Sequence, residues 1–205
     1  MSPKPTKDLI LDAADELLAE VGYEGMSVQA VADRAGANKA SVFYYFNSKS
    51  ALIEQVLERY YAAHLAALER AYTTEGTLHE RFARLVDAYL DYIEQNRRYP
   101  RLVQQQLVGG GEHLTLVQKH LAPLYRWVMQ ALSELAPDSG PMAARQLFVT
   151  FSSLVINYYT FAPLLASEWG LDPLGPEALA ERRAHVHWIV ETLLDRVERD
   201  TQRLV

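Results

Sequence analysis

The chain has 205 residues, of which 49% are hydrophobic and 22% charged, with a formal net charge of −6 and no cysteine. That balance is the one of an ordinary soluble globular protein of one large or two small domains. It argues against a protein that coats DNA through bulk positive charge, since phosphate affinity comes from Lys and Arg, but leaves room for a small local DNA-reading surface. Without cysteine there are no disulfides or thiolate metal sites, and a reducing cytoplasm is the expected compartment.

From Met1 to Asp8 the chain is polar, with no apolar stretch of signal-peptide type. The first predicted helix carries apolar residues at Leu9, Ile10, Ala13, Ala14, Leu17, Leu18 and Val21, one stripe at helical spacing. Asp12, Asp15, Glu16 and Glu20 are expected on the other face, and Gly22 supplies a stop. Ser27 is the expected N-cap of a short helix with Val28, Ala30, Val31 and Ala32 on its apolar side, ended by Gly36. Asn38 caps a second short helix running through Ser41, Val42, Phe43, Tyr44 and Tyr45. After a break at Asn47–Ser50, with Ser48 as cap, a long helix is predicted from Ala51 to Tyr72.

Thr73 to Thr77 reads as a polar linker, followed by a helix with Phe82, Leu85, Val86, Tyr89, Leu90 and Ile93 on one side. Pro100 opens another helix, which Gly109-Gly110-Gly111 breaks. The next spans Glu112 to Leu135, with a possible kink at Pro123. Two long helices close the chain, from Met142 to Glu168 and from Glu177 to Arg203, separated by a loop of glycines and prolines. No alternating strand pattern occurs. The predicted fold is all-α with about nine helices.

Met26 to Phe46 has the layout of a helix-turn-helix: two short helices, a glycine turn, and small Ala32 and Ala35 that permit close approach. The second helix exposes Asn38, Lys39, Ser41, Tyr44 and Tyr45 for contact with bases and phosphates in a major groove. Lys49 and Ser48 sit at the start of the next helix, where free backbone amides face phosphate. The competing reading of this stretch is ordinary helical packing, favoured by the acid excess in residues 1–50.

These residues resemble the tetracycline-repressor (TetR) family of bacterial transcription regulators. The resemblance rests on Ile10-x-x-Ala13-Ala14-x-x-Leu17, Gly22-Tyr23-x-x-Met26-Ser27-Val28, Val31-Ala32-x-x-Ala35-Gly36 and Val42-Phe43-Tyr44-Tyr45-Phe46-x-x-Lys49-x-x-Leu52. It implies a three-helix DNA-binding domain in residues 1–50 and a larger ligand-binding and dimerisation domain in 51–205, with 51–72 as connecting helix. It implies that Ser27 caps its helix and touches phosphate, that Gln29 and Lys39 face bases, and that Ser41, Tyr45 and Lys49 grip the backbone. Phe43 departs from the family's usual tyrosine, so that phosphate contact is either lost or replaced by Tyr44; Ala40 stands where glycine or proline is common.

The resemblance further implies a homodimer on double-stranded, pseudo-palindromic operator DNA, released by a small effector. Independently, helix 142–168 is too apolar for a one-sided surface helix, and with helix 177–203 it suits a four-helix interface between two subunits. Gln146 to Ser167 holds no charge, but its polar residues argue against a membrane span and the lack of charge favours a mostly apolar effector. Candidate pocket residues are Tyr89, Tyr92, Trp127, Phe148, Phe151, Asn157, Tyr158 and Phe161, which serve equally as core. Asn157 is singled out because an amide in an apolar helix needs a partner. No metal, cofactor or catalytic constellation is expected. His185 and His187 point to different sides, and His113 and His120 lie two turns apart. The rival class is a small all-α enzyme or hydrophobic-ligand carrier with an incidental helix-turn-helix.

Overall fold

The computed structural model describes residues 4–109 and 112–202, so Gly110 and Gly111 of the expected break, and Arg203, lie outside the described residues. Among those described there are nine α-helices and no strand. They fall into two compact units: Met1–Ala63 with Arg101–Ala122, and His64–Pro100 with Pro123–Val205. A helix of 25 residues, α4 (Lys49–Thr73), is too long to be buried in one three-helix core and contributes to both units.

In the first unit, α1 (Thr6–Gly25) packs on α2 (Val28–Ala35) and α3 (Lys39–Phe46). Gly22 breaks the regular helix with φ 73° and ψ −177°, a backbone state that side chains resist. Gly36 takes φ 63° at the turn between α2 and α3. Each expected cap forms: Ser27 Oγ accepts from Ala30 N–H at 3.1 Å, Asn38 Oδ1 from Ser41 N–H at 2.7 Å, and Ser48 Oγ from Ala51 N–H at 3.0 Å. Asn47, between α3 and α4, has φ 62°, which Asn tolerates better than most residues.

The buried stripe of α1 is Ile10, Ala13, Ala14, Leu17 and Leu18, and with Val31, Val42, Phe46, Leu52, Ile53, Val56 and Leu57 it forms the core of this unit. Burying each large aliphatic side chain contributes roughly 1.5–3 kcal/mol. Two expectations for α1 need correction. Leu9 and Val21 are exposed, Leu9 on the flank of the stripe and Val21 in the last turn against Gly25. Asp15, placed on the polar face by sequence, is only 6% exposed, because α4 covers a second face of α1; the Tyr60 hydroxyl donates to it at 2.7 Å.

The second unit holds α5 (Leu78–Gln95), α8 (Ala144–Trp169), α9 (Pro176–Gln202) and the later parts of α4 and α7 (Glu112–Leu132); α6 (Tyr99–Gly109) lies largely in the first. A capping box opens α5: Thr77 Oγ1 accepts from Glu80 N–H, and the Glu80 carboxylate accepts from Thr77 N–H at 2.8 Å. Charge fixes α5 against α9, where Arg183 donates to Asp87, Asp91 and Glu94 at 2.8, 2.6 and 2.9 Å. Burial raises the Asp87 carboxyl, but hydrogen bonds from His187 and Arg183 outweigh it and hold Asp87 below the usual carboxylate range.

Among the described residues α8 alone is long and apolar enough, by length and composition, to cross a membrane. One side of it is core, with Leu147, Val155, Tyr159 and Ala162 buried. Its other side exposes Val149, Phe161, Leu164 and Leu165.

Candidate DNA-reading surface and effector cavity

The short helix α3 is anchored by two side chains, Val42 at 2% and Phe46 at 1% exposure. At helical spacing this turns Lys39, Phe43, Tyr44 and Tyr45 outward. Tyr44 is the most open of these, at 80%. Ser27, Gln29 and Asn38 are exposed, and Ser41 and Lys49 are half-buried. All nine candidate DNA contacts thus have some outward-facing surface. Several are also engaged within the fold. Asn38 Oδ1 accepts from both the backbone N–H and the hydroxyl of Ser41, Gln29 Nε2 donates to Asp33 at 2.8 Å, and the Lys49 ammonium lies 4.5 Å from the centre of the Tyr23 ring. Phe43 is 42% exposed and offers no hydroxyl.

The acid excess of this unit is directed elsewhere. Glu20 accepts from Arg34 of α2 at 2.8 Å, and Glu16 lies 3.9 Å from the same guanidinium. Asp12 pairs with Lys4 and with Arg59 of α4, at 2.9 Å for the latter. Burial acts to raise its carboxyl, but these two cations outweigh it and hold Asp12 below its ordinary value. These carboxylates are neutralised by cations of α2, α4 and the N-terminal segment, and none belongs to α3.

The second unit holds a partly open cavity of about 90 Å³. His64 and Leu68 of α4 face it, as do Phe82, Leu85, Val86 and Tyr89 of α5. Leu124, Val128 and Leu132 of α7 form another wall. Phe148, Phe151, Ser152 and Val155 of α8, with Val186 and Val190 of α9, close it. An apolar cavity of roughly 150 Å³ takes up benzene, so even a single ring enters this smaller one only if the walls move.

Three of the candidate pocket residues, Tyr89, Phe148 and Phe151, meet at this cavity. The others lie elsewhere. Tyr92 stacks on the His64 ring, at 4.4 Å between ring centres, and Trp127 and Tyr72 meet edge to face at 5.6 Å. Asn157 and Phe161 line an open surface groove together with Val149, Ser153 and Arg182. The Tyr158 hydroxyl donates to the Pro173 carbonyl at 2.8 Å, tying α8 to the loop before α9.

His64 is the feature that the sequence reading passed over. It is 2% exposed and packed against Tyr92 and Tyr89, with ring centres at 4.4 and 4.8 Å. Neither ring nitrogen has a hydrogen-bond partner among the described residues. Burial lowers its pKa from 6.5 to about 3, so the ring is neutral at physiological pH. One signal was present in the chain: His64 falls four residues after Tyr60 and four before Leu68, on the apolar stripe of α4.

Residues 10–56 match the profile of bacterial regulatory proteins of the tetR family. The probable HTH-type transcriptional regulator YttP of Bacillus subtilis is 32% identical over 104 residues, half of each chain, so the matched stretch spans about half the length of that relative. The uncharacterized HTH-type transcriptional regulator YvkB of the same organism is 30% identical over 163 residues, 76% of this chain and 82% of YvkB. The fold matches FadR from Bacillus subtilis, solved in complex with stearoyl-CoA, with a TM-score of 0.69 at 17% identity, covering 91% of this chain and 97% of FadR.

Proposed function

Because the chain belongs to the tetR family of bacterial regulatory proteins, we propose that it is a ligand-responsive regulator of transcription, a repressor that binds a pseudo-palindromic operator as a homodimer and leaves it when a small, mostly apolar effector binds. The observation that carries this reading is one chain holding both an outward-facing α3, pinned by Val42 and Phe46, and an apolar cavity in its other unit. Lys39 and Gln29 read base edges; Ser27, Ser41, Tyr45 and Lys49 hold phosphates, and Tyr44 takes the contact that Phe43 lacks.

The homodimer is supported by the outward face of α8. Val149, Ser153, Asn157, Phe161 and Leu165 recur every four residues, and all are exposed. Trp188 of α9 is 63% exposed. An apolar stripe of this size on a soluble protein marks an interaction surface. A second copy of the same stripe offers the polar partners that Ser153 and Asn157 need, whereas lipid tails offer none. Asn157 then belongs to the subunit interface rather than to the effector.

Coupling between effector and operator is a free energy shared by two sites. It runs through α4, a single continuous helix with Leu52 to Leu57 in the core of the DNA-binding unit and His64 and Leu68 in the cavity wall. The test is a gel shift of the full chain against DNA upstream of its own gene and against genomic fragments at low salt. Retarded bands, abolished by an extract of apolar metabolites, are expected. Failure to retard any genomic fragment would overturn the DNA-binding reading.

A further inference from the structure

We infer that Asn157 lies on the two-fold axis of the homodimer, pairs amide to amide with the partner's Asn157, and so fixes one register between the two copies of α8. The inference rests on the reading of the outward face of α8 as the subunit interface. That face is a row of side chains four residues apart, Val149, Ser153, Asn157, Phe161 and Leu165, with Asn157 at its midpoint. Thr160 Oγ1 donates to the backbone carbonyl of Asn157 at 3.0 Å, which leaves the carboxamide unpaired among the described residues. An amide covered by a partner needs hydrogen bonds from that partner.

Two-fold symmetry turns the row into a pairing rule. Where two copies of a helix cross antiparallel, the residue on the axis meets itself, and residues equally far to either side meet each other. With Asn157 on the axis, Ser153 faces the partner's Phe161, and Val149 lies toward the partner's Leu165. Each contact is complementary. A carboxamide carries donors and acceptors, so two of them bond reciprocally, and the N–H left on each serves a Ser153 hydroxyl one turn away. Phe161, 58% exposed, is the largest side chain of the row and meets the smallest, Ser153. The groove beside Ser153, lined by Val149, Thr150 and Leu154, receives the ring. Other registers lose a match. Centred on Ser153 or on Phe161, the pair sets Asn157 against the partner's Val149 or Leu165 and leaves its amide unpaired. Centred midway between Ser153 and Asn157, it pairs the amide with the partner's Ser153 but sets Phe161 against Val149, bulk on bulk, and Leu165 against Arg145. A parallel pair puts Phe161 on Phe161. In coiled coils one polar residue in an apolar seam selects the register in the same way. One register gives one distance between the two copies of α3, which an operator of fixed half-site spacing requires.

The chain has no cysteine, so single introduced cysteines report the register directly. In the full-length protein under mild oxidation, Asn157→Cys is expected to form disulfide-linked dimers at least about tenfold faster than Ser153→Cys or Phe161→Cys. On the axis the two Cα atoms lie within about 6 Å, whereas like residues one turn off it are about 12 Å apart along the helices, beyond disulfide reach. Mixing Ser153→Cys with Phe161→Cys is expected to restore fast linking, as the mixed dimer. With Asn157→Leu added to both, the preference for the mixed dimer over self-linked products is expected to fall about tenfold while the protein stays dimeric. Ser153→Cys or Phe161→Cys self-linking as fast as Asn157→Cys, or fast linking of Ser153→Cys to Asn157→Cys, overturns the register. A preference that survives Asn157→Leu overturns the role of the amide. Those results with a wild type that is dimeric by light scattering sink this inference alone; a monomeric wild type sinks the interface reading with it.

Discussion

Replacing His64 by leucine tests the burial argument through the pH dependence of stability. In the folded chain, desolvation holds the His64 pKa at about 3, against 6.5 for the ordinary side chain. Below pH 6.5 the unfolded chain takes up a proton at this residue and the folded chain does not, so protons favour unfolding. The penalty is absent above pH 6.5, grows by about 1.4 kcal/mol per unit as the pH falls, and levels off near pH 3. Between pH 7 and pH 5 it amounts to about 2 kcal/mol. Urea denaturation followed by far-UV circular dichroism at fixed protein concentration, at pH 7, 6 and 5, measures it. Wild type is expected to lose about 2 kcal/mol more than His64→Leu over this range. At pH 7 the leucine variant is expected to be the more stable of the two, since it removes two unpaired buried nitrogens. Equal losses in the two proteins would refute the claim that His64 stays neutral in the fold.

Three further outcomes follow from the same structure. Lys39→Ala is expected to change which operator sequences are bound, while Lys49→Ala weakens binding to all of them and lowers the salt slope by about one; operator selection and salt titration separate the two, and unchanged preference in Lys39→Ala removes it from the base-reading set. Tyr60→Phe deletes the hydroxyl that donates to the buried Asp15 carboxylate at 2.7 Å, while Arg59, at 3.8 Å, stays in place. Its cost is about 1–3 kcal/mol in urea denaturation, and an unchanged midpoint would show the carboxylate to be solvated. Phe161→Glu places a charge in the exposed stripe of α8, and light scattering is expected to report half the wild-type mass; a variant that stays dimeric moves the interface off this face.

The helices and their ends were legible in the chain because caps and periodicity are local. Ser27, Asn38 and Ser48 each bond an amide three residues on, and Gly22 and Gly36 allow backbone angles that other residues resist. The same holds for the outward face of α3, since one spacing rule puts Val42 and Phe46 inside and Lys39 and Tyr44 outside. What the chain could not state was which neighbour covers a helix's second face. Asp15 looked like surface until Tyr60 of α4 lay over it, and Phe161 and Asn157 looked like pocket until α8 turned that side outward. His64 passed as one histidine among six. Its meaning came only when α4, α5, α7, α8 and α9 closed around it and removed the water that a lone helix would have left on its nitrogens. Sequence by itself determined where each helix begins, ends and turns its strongest face, because those forces act within a few residues. The tertiary structure decided which polar atoms lost their water, because desolvation depends on every neighbour that packs against them.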